Sequence, residues 1–143
     1  MEGDAPQPQI RSLDDVPADN RRGGDIRTLL SPKAVGAKGA YMGVATIGPG
    51  DWIAEHYHPY SDEFLYVVKG SVIARLDGEN REAREGQAVF IPINCKHRLM
   101  NEGSEEAQLV FIAAPLAPRP DMGHVDTESR WEAEAETPAA NPS

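Results

Sequence analysis

The segment GDWIAEHYHPYSDEFLYVVKG, residues 50–70, contains the pattern that decides the fold. Its first half predicts a strand on which His56 and His58 lie two positions apart, so both side chains point to the same face. A short turn with Pro59 follows, and the next predicted strand begins at Glu63. A hairpin of this kind brings the carboxylate back beside the two imidazoles. The segment therefore predicts a cluster of metal-binding groups on a β-hairpin.

A second segment, GQAVFIPINCKHRLMN at residues 86–101, adds a third imidazole. His97 begins another predicted strand after a tight turn at Pro92. A single histidine on a strand is more often a surface or core residue than a ligand, so the interpretation depends on both segments together. Three imidazoles and a carboxylate suit zinc, iron, manganese, nickel or copper.

The rest of the central chain alternates short β-type runs with turn residues. The predicted strands are residues 26–30, 41–47, 52–58, 63–69, 71–76, 88–91, 97–101 and 107–114. Pairs such as Asp77-Gly78 supply residues that tolerate a positive φ angle. About eight strands without a convincing helix predict an all-β fold, a single β-sandwich or barrel. The run FLYVV at 64–68 is apolar on both faces, so one face must meet another sheet or another subunit.

Length and composition limit the remaining possibilities. A chain of 143 residues fits one domain, and its net charge of −9 argues against a nucleic-acid or anionic-membrane partner. Cys95 is the only cysteine, so no disulfide can form within the chain. No apolar run approaches the roughly 20 residues that span a bilayer, and the N-terminus does not resemble a signal peptide. We therefore expect a cytoplasmic protein.

The two ends of the chain differ from its middle in composition. Residues 26–116 hold 11 acidic and 9 basic residues, so most of the negative charge lies outside them. We expect residues 1–25 to form a flexible N-terminal arm and residues 26–127 to form the barrel with its closing segment. Residues 128–143 are expected to be a disordered C-terminal tail.

The spacing within the two segments resembles both sequence signatures of the cupin superfamily. The first runs from Gly50 through the two histidines and Glu63 to Gly70, and the second from Gly86 to Asn101. One departure is Asn94, where the family usually has glycine. Asparagine is well suited to a left-handed turn, so the substitution leaves the resemblance intact. The resemblance implies a single jelly-roll barrel holding one divalent metal ion, with zinc expected and iron, nickel, manganese or copper as alternatives.

A narrower resemblance covers about residues 26–128. EHYHPYSDEFLYVVKG at 55–70 and PLAPRPDMGHVDTE at 115–128 are similar to the small cupin polyketide cyclases of aromatic (type II) clusters, of the tetracenomycin, resistomycin and spore-pigment type. This implies aldol cyclisation and aromatisation of a poly-β-ketone intermediate, bound to a carrier protein. A divalent metal would act there as a Lewis acid, or as an anchor while the cavity shape directs the fold of the substrate.

The site residues follow from the motifs and from strand periodicity. Candidate metal ligands are His56, His58 and His97, completed by Glu63 or by His124, which the narrower family motif contains. Residues two or four positions from a ligand share its inward face. The predicted substrate pocket is therefore Trp52, Ala54, Leu65, Val67 and Leu99, unless these side chains simply fill a closed core.

Two other functions and one assembly state are also expected from the sequence. The donor set would serve a metal-dependent oxygenase of an aromatic or enolic substrate, and the barrel could also be a non-enzymatic polyketide-binding module. The apolar residues Phe64, Tyr66 and Val68 alternate with the inward-facing ones and predict a homodimer. No general acid or base can be named beyond a metal-bound water or whichever of Glu63 and His124 is not a ligand.

Overall fold

The computed structural model describes residues 5–130, which form ten β-strands and three short helices. The strands are β1 Asp25–Leu30, β2 Tyr41–Ile47, β3 Trp52–Tyr57, β4 Asp62–Lys69, β5 Ser71–Leu76, β6 Glu79–Arg84, β7 Ala88–Ile91, β8 His97–Met100, β9 Ala107–Ala114 and β10 Val125–Asp126. The helices are two 3-10 turns, Leu13–Asp15 and Pro120–Met122, and α1, Pro32–Val35. The predicted all-β class is confirmed.

The strands make two antiparallel sheets of five strands each. Sheet A has the order β1-β2-β9-β4-β7, and sheet B has the order β10-β3-β8-β5-β6. Side chains from both sheets form one buried cluster, which includes Leu65 and Leu109 from sheet A and Ile53 and Leu99 from sheet B. This is a jelly-roll sandwich in which the inner faces of the two sheets enclose the core.

Strand β4 shows why the sequence pattern places a carboxylate inside. Glu63, Leu65 and Val67 are buried, whereas the alternating residues between them are exposed. Because successive side chains of a strand point to opposite faces, the apolar positions fix the direction of the whole strand. Packing of Leu65 and Val67 in the core therefore forces Glu63 into the interior.

Strand β6 was missed by the sequence analysis. Its sequence, ENREAR, has a single buried residue, Ala83, and lies at the edge of sheet B. The turn before it was predicted from the sequence Asp77-Gly78. In the structure these two residues have φ angles of 48° and 88°, as such a turn requires. A two-residue turn of that kind joins adjacent antiparallel strands, so it was the available signal for β6.

The segments before β1 and after β9 lie against β3. Asp19 bridges to Ile26, and the Arg22 carbonyl accepts a hydrogen bond of 2.8 Å from the Ala54 amide. These contacts involve part of the segment expected to be a flexible arm. The expectations for residues 1–4 and for 131–143 of the C-terminal tail lie outside the described residues. Within residues 5–130, no helix has the length and apolar character needed to cross a membrane.

Candidate metal centre

Three histidines from two neighbouring strands of sheet B meet at one end of the barrel. His56 on β3 is paired directly with His97, the first residue of β8, and His58 follows immediately after β3. The ring centroids of His56 and His97 are 4.4 Å apart, and the His58 centroid is 5.1 and 5.2 Å from them. One nitrogen atom from each ring lies within 4.8 Å of the other two. The structure thus brings together the three histidines that the motifs predict.

Backbone carbonyl groups set the protonation of all three rings. The Nδ1 atoms of His56, His58 and His97 lie 2.9, 3.0 and 2.9 Å from the carbonyl oxygens of Ala54, Gly123 and Cys95. Since a carbonyl oxygen only accepts, each Nδ1 must carry a hydrogen. The neutral imidazoles then present unprotonated Nε2 atoms, which is the usual arrangement for histidines that bind a metal.

Glu63 faces two of these nitrogen atoms. Its Oε1 atom is 3.3 Å from His58 Nε2 and 3.0 Å from His97 Nε2, yet both nitrogens are buried without a hydrogen bond among the described residues. Lone pairs that face a carboxylate in a buried site repel each other unless a cation lies between them. A proton on His58 would relieve one contact, whereas a metal ion would relieve all of them. The donor set therefore fits a divalent metal ion.

The electrostatic environment favours the neutral form of His56 and the ionised form of Glu63, whereas it favours a proton on His58. Burial and the neighbouring His97 lower the pKa of His56 to about 3, so this ring is neutral at physiological pH. Burial by itself would raise the pKa of Glu63, but contacts with His58 and His97 outweigh it, and the pKa is lowered. Burial lowers and Glu63 raises the pKa of His58, with a raised value as the result.

His124 lies beside the centre, and its ring centroid is 6.1 Å from those of His56 and His58. Its Nε2 atom contacts the guanidinium Nη2 of Arg22. Because a guanidinium only donates, Nε2 must accept, and the hydrogen of the neutral ring is on Nδ1. In this arrangement His124 offers no lone pair to an ion, so Glu63 is the better candidate to complete the ligand set.

Arg22 is a site residue that the sequence analysis missed. It contacts His124 and forms an ion pair of 2.6 Å with Asp126, which places a positive charge beside the histidines. The residue comes from a segment without periodicity, and its contacts span more than 100 positions in the chain. No sequence pattern could have identified it.

The predicted pocket residues divide into two groups. Leu65, Val67 and Leu99 share the inward face with the ligands, but they are packed in the core cluster. Trp52 and Ala54 were predicted wrongly. The indole of Trp52 lies 3.7 Å from the Arg130 guanidinium on the outside of sheet B, and Ala54 lines an outer depression with Arg22 and Asp126.

A β-bulge explains this error. Ile53 pairs with Leu99, and His56 pairs with His97, so two residues of β3 lie opposite one residue of β8. The extra residue shifts the alternation, so Ile53, rather than Ala54, shares the inward face with His56. Ile53 is accordingly buried in the core.

Comparison with known proteins places this fold and site in a family. A model of the cupin domain matches residues 43–113, which contain the three histidines and Glu63. Protein SchB of Streptomyces halstedii is 53% identical over 122 residues, which cover 85% of this chain and 88% of that protein. The chain belongs to the cupin family.

This cupin also resembles proteins named for polyketide biosynthesis, which confirms the narrower resemblance. Tetracenomycin polyketide synthase protein TcmJ of Streptomyces glaucescens is 42% identical, over 82% of this cupin and 78% of that protein. Among solved structures, the polyketide cyclase RemF of Streptomyces resistomycificus has a TM-score of 0.69 and covers 90% of this cupin and 93% of its own chain. At 19% identity, RemF supports the shared fold only.

Proposed function

We propose that this cupin is a polyketide cyclase that directs regiospecific aldol cyclisation and aromatisation of a carrier-bound poly-β-ketone. The observation that carries the proposal is the pair of buried Nε2 atoms, from His58 and His97, that face the Glu63 carboxylate without a hydrogen bond among the described residues. The name of the relative TcmJ points to polyketides as the substrate class. A cytoplasmic location is part of the proposal.

His56, His58, His97 and Glu63 would hold one divalent ion, with zinc as the expected metal. When bound, such an ion supplies Lewis-acid polarisation of a carbonyl oxygen. The chain itself orients the ligand rings through the three backbone carbonyl groups, which hold a hydrogen on each Nδ1 and leave Nε2 as the ligand atom. Burial of the site excludes water, which strengthens every electrostatic interaction with a bound ketone.

Elemental analysis of the purified protein tests the metal part of the proposal. We expect about one zinc per chain. His56→Ala and His97→Ala should each lower the affinity at least about a hundredfold, because loss of an outer partner alone costs up to that much. His124→Ala is the matched control and should retain the metal, since its Nε2 is occupied by Arg22.

The outcomes separate the alternatives. Bound iron, copper or nickel together with oxygen uptake would favour a cupin oxygenase. Zinc retention by His56→Ala and His97→Ala would contradict the proposed ligand set. Addition of the zinc protein to a polyketide synthase lacking a cyclase should change the product pattern, and an unchanged pattern would favour a non-enzymatic polyketide-binding module.

A further inference from the structure

Tyr41 lies in the same transverse row as Glu63 on the inner face of sheet A. It is the first residue of β2 and is paired with Ala113 of β9, which is itself paired with Glu63 of β4. Residues directly opposite each other in a sheet point to the same face. Ala113 and Glu63 are buried, and the Tyr41 ring packs against the core with its centroid 6.2 Å from that of Phe111. Tyr41 therefore faces inward at the metal-centre end of the barrel.

A small residue, Ala113, stands between Tyr41 and Glu63 in this row. Adjacent strands lie about 4.8 Å apart, so the backbones of β2 and β4 are separated by about 10 Å. Only the methyl group of Ala113 fills the row between them. Tyr41 and Glu63 thus flank a methyl group on the inner face of sheet A, with no bulky side chain between them in the row.

The Tyr41 hydroxyl is available as a hydrogen-bond donor. Within residues 5–130 it has no hydrogen-bond partner. Burial, and then the Glu63 charge, raise the pKa of this phenol, while Arg22 opposes the shift. The group therefore stays protonated at neutral pH, beside a site built for a cation.

We propose that Tyr41 is a catalytic residue whose hydroxyl donates a hydrogen bond to the ketone oxygen attacked during aldol closure. This inference rests on the proposed cyclase function. In that step the enolate carbon forms a bond to the carbonyl carbon, and the π electron pair of the carbonyl moves onto its oxygen. The hydrogen bond strengthens as negative charge develops there. The resulting alkoxide takes up a proton, which replaces the one lost when the enolate formed, as the product is released to solvent.

The test compares Tyr41→Phe with Tyr66→Phe in the full-length zinc-loaded protein. Tyr66 lies on the exposed outer face of the same sheet, so its hydroxyl is a matched control. Two readouts are needed: turnover with a carrier-bound polyketide, and the Kd of 1-phenyl-1,3-butanedione, a stable enolisable 1,3-diketone. Tyr41→Phe should lower kcat about tenfold or more, and should raise the Kd of the diketone about two- to tenfold. Zinc content and Tm should not change.

The possible outcomes distinguish failure of the Tyr41 role from failure of the cyclase function. If kcat and the diketone Kd were unchanged in Tyr41→Phe, the role of Tyr41 would be overturned and the cyclase function would stand. The same conclusion would follow if Tyr66→Phe lost as much turnover and diketone affinity as Tyr41→Phe. If Tyr41→Phe lost zinc or had a lower Tm, Tyr41 would have a structural role, and its proposed catalytic role would be overturned. If the wild type converted no polyketide, the cyclase proposal would fail, and the catalytic role of Tyr41 that rests on it would fail as well. If that inactive wild type also failed to bind the diketone, both the cyclase function and the role of Tyr41 would be overturned.

Discussion

The outer faces of the two sheets differ sharply, although both sheets enclose the same core. On sheet A an apolar face is exposed, with exposed fractions between 39 and 55%. We define this apolar face as Phe64, Tyr66, Val68, Phe90 and Ile112. On sheet B, residues 19–24 and 124–130 pair with the edge of β3, and Arg130 stacks on the outward-facing ring of Trp52.

These two segments are held on sheet B by polar contacts. Asp51 accepts hydrogen bonds from the amides of Gly24 and Trp52 at 3.2 and 2.9 Å, and from Arg130 at 2.5 Å. The same Arg130 guanidinium stacks on the Trp52 ring at 3.7 Å. One carboxylate thus connects β3 to the segment before β1 and to the segment after β10.

The apolar face has no comparable partner within the described residues. Phe64 is paired with Phe90 and Ile112, and the two phenyl centroids are 5.5 Å apart, so the apolar side chains are contiguous across three strands. Contiguous exposed apolar surface of this kind usually marks an interface. The chain thus supplies its own contacts to β3 of sheet B, whereas the apolar face of sheet A is left for a partner. We propose that this partner is a second copy of the chain.

The largest expected effect comes from placing a charge on the apolar face. Phe64→Glu should raise the dissociation constant of the dimer at least about a hundredfold, because an unpaired carboxylate in an apolar interface costs several kcal/mol. Light scattering after size exclusion should show a dimer for the wild type and a monomer for the variant. Val125→Glu, at an exposed apolar residue of sheet B, is the matched control. A monomeric wild type at micromolar concentration would contradict the prediction.

An intermediate effect is expected from loss of the carboxylate that connects residues 19–24 and 124–130 to sheet B. Asp51→Ala should lower the free energy of unfolding by about 2 kcal/mol, since it removes the acceptor of three hydrogen bonds, from Arg130 and from the Gly24 and Trp52 amides. Asp121→Ala removes an exposed ion pair with Arg119 and should cost less than about 0.5 kcal/mol. Chemical denaturation measures both, and equal losses would argue against the role of Asp51.

The same carboxylate predicts a pH dependence. Burial raises the pKa of Asp51, but the hydrogen bonds from Arg130 and from the Trp52 and Gly24 amides, together with the Arg130 charge, outweigh it, and the pKa is lowered in the folded protein. A lowered folded pKa contributes stability above the unfolded value of about 4, and this contribution is lost as the pH falls through the folded pKa. The difference in stability between wild type and Asp51→Ala should therefore shrink below about pH 4.

The smallest effect is expected at the contact of Arg22 with Asp126. This pair is half exposed, so Arg22→Met should cost no more than about 1 kcal/mol. It should, however, speed hydrogen exchange at residues 125–127, where β10 pairs with β3. Arg21→Met removes a neighbouring arginine that pairs only with Asp19 among the described residues, and should leave those amides unchanged. Equal exchange in both variants would show that Arg22 does not hold β10.

Features that depend on neighbouring residues in the chain were predictable from the sequence, whereas features that depend on residues far apart in the chain were not. The strand positions, Glu63 on the inner face of β4 and the left-handed turn at Asn94, with a φ angle of 71°, were predictable from local patterns. The edge strand β6 was missed because its exposed face lacks apolar alternation. The pocket positions Trp52 and Ala54 failed because one extra residue in β3 reverses the alternation.

The amino-acid sequence by itself determined the three histidines and the carboxylate, because two-residue periodicity and a short hairpin bring such groups together within one or two strands. Only the tertiary structure decided that Tyr41 faces this centre and that Arg22 covers it. The first depends on pairing across three strands, and the second on contacts more than 100 residues apart. The register between strands and the contacts of Arg22 result from packing of the whole core, so they cannot be predicted from the local spacing of residues.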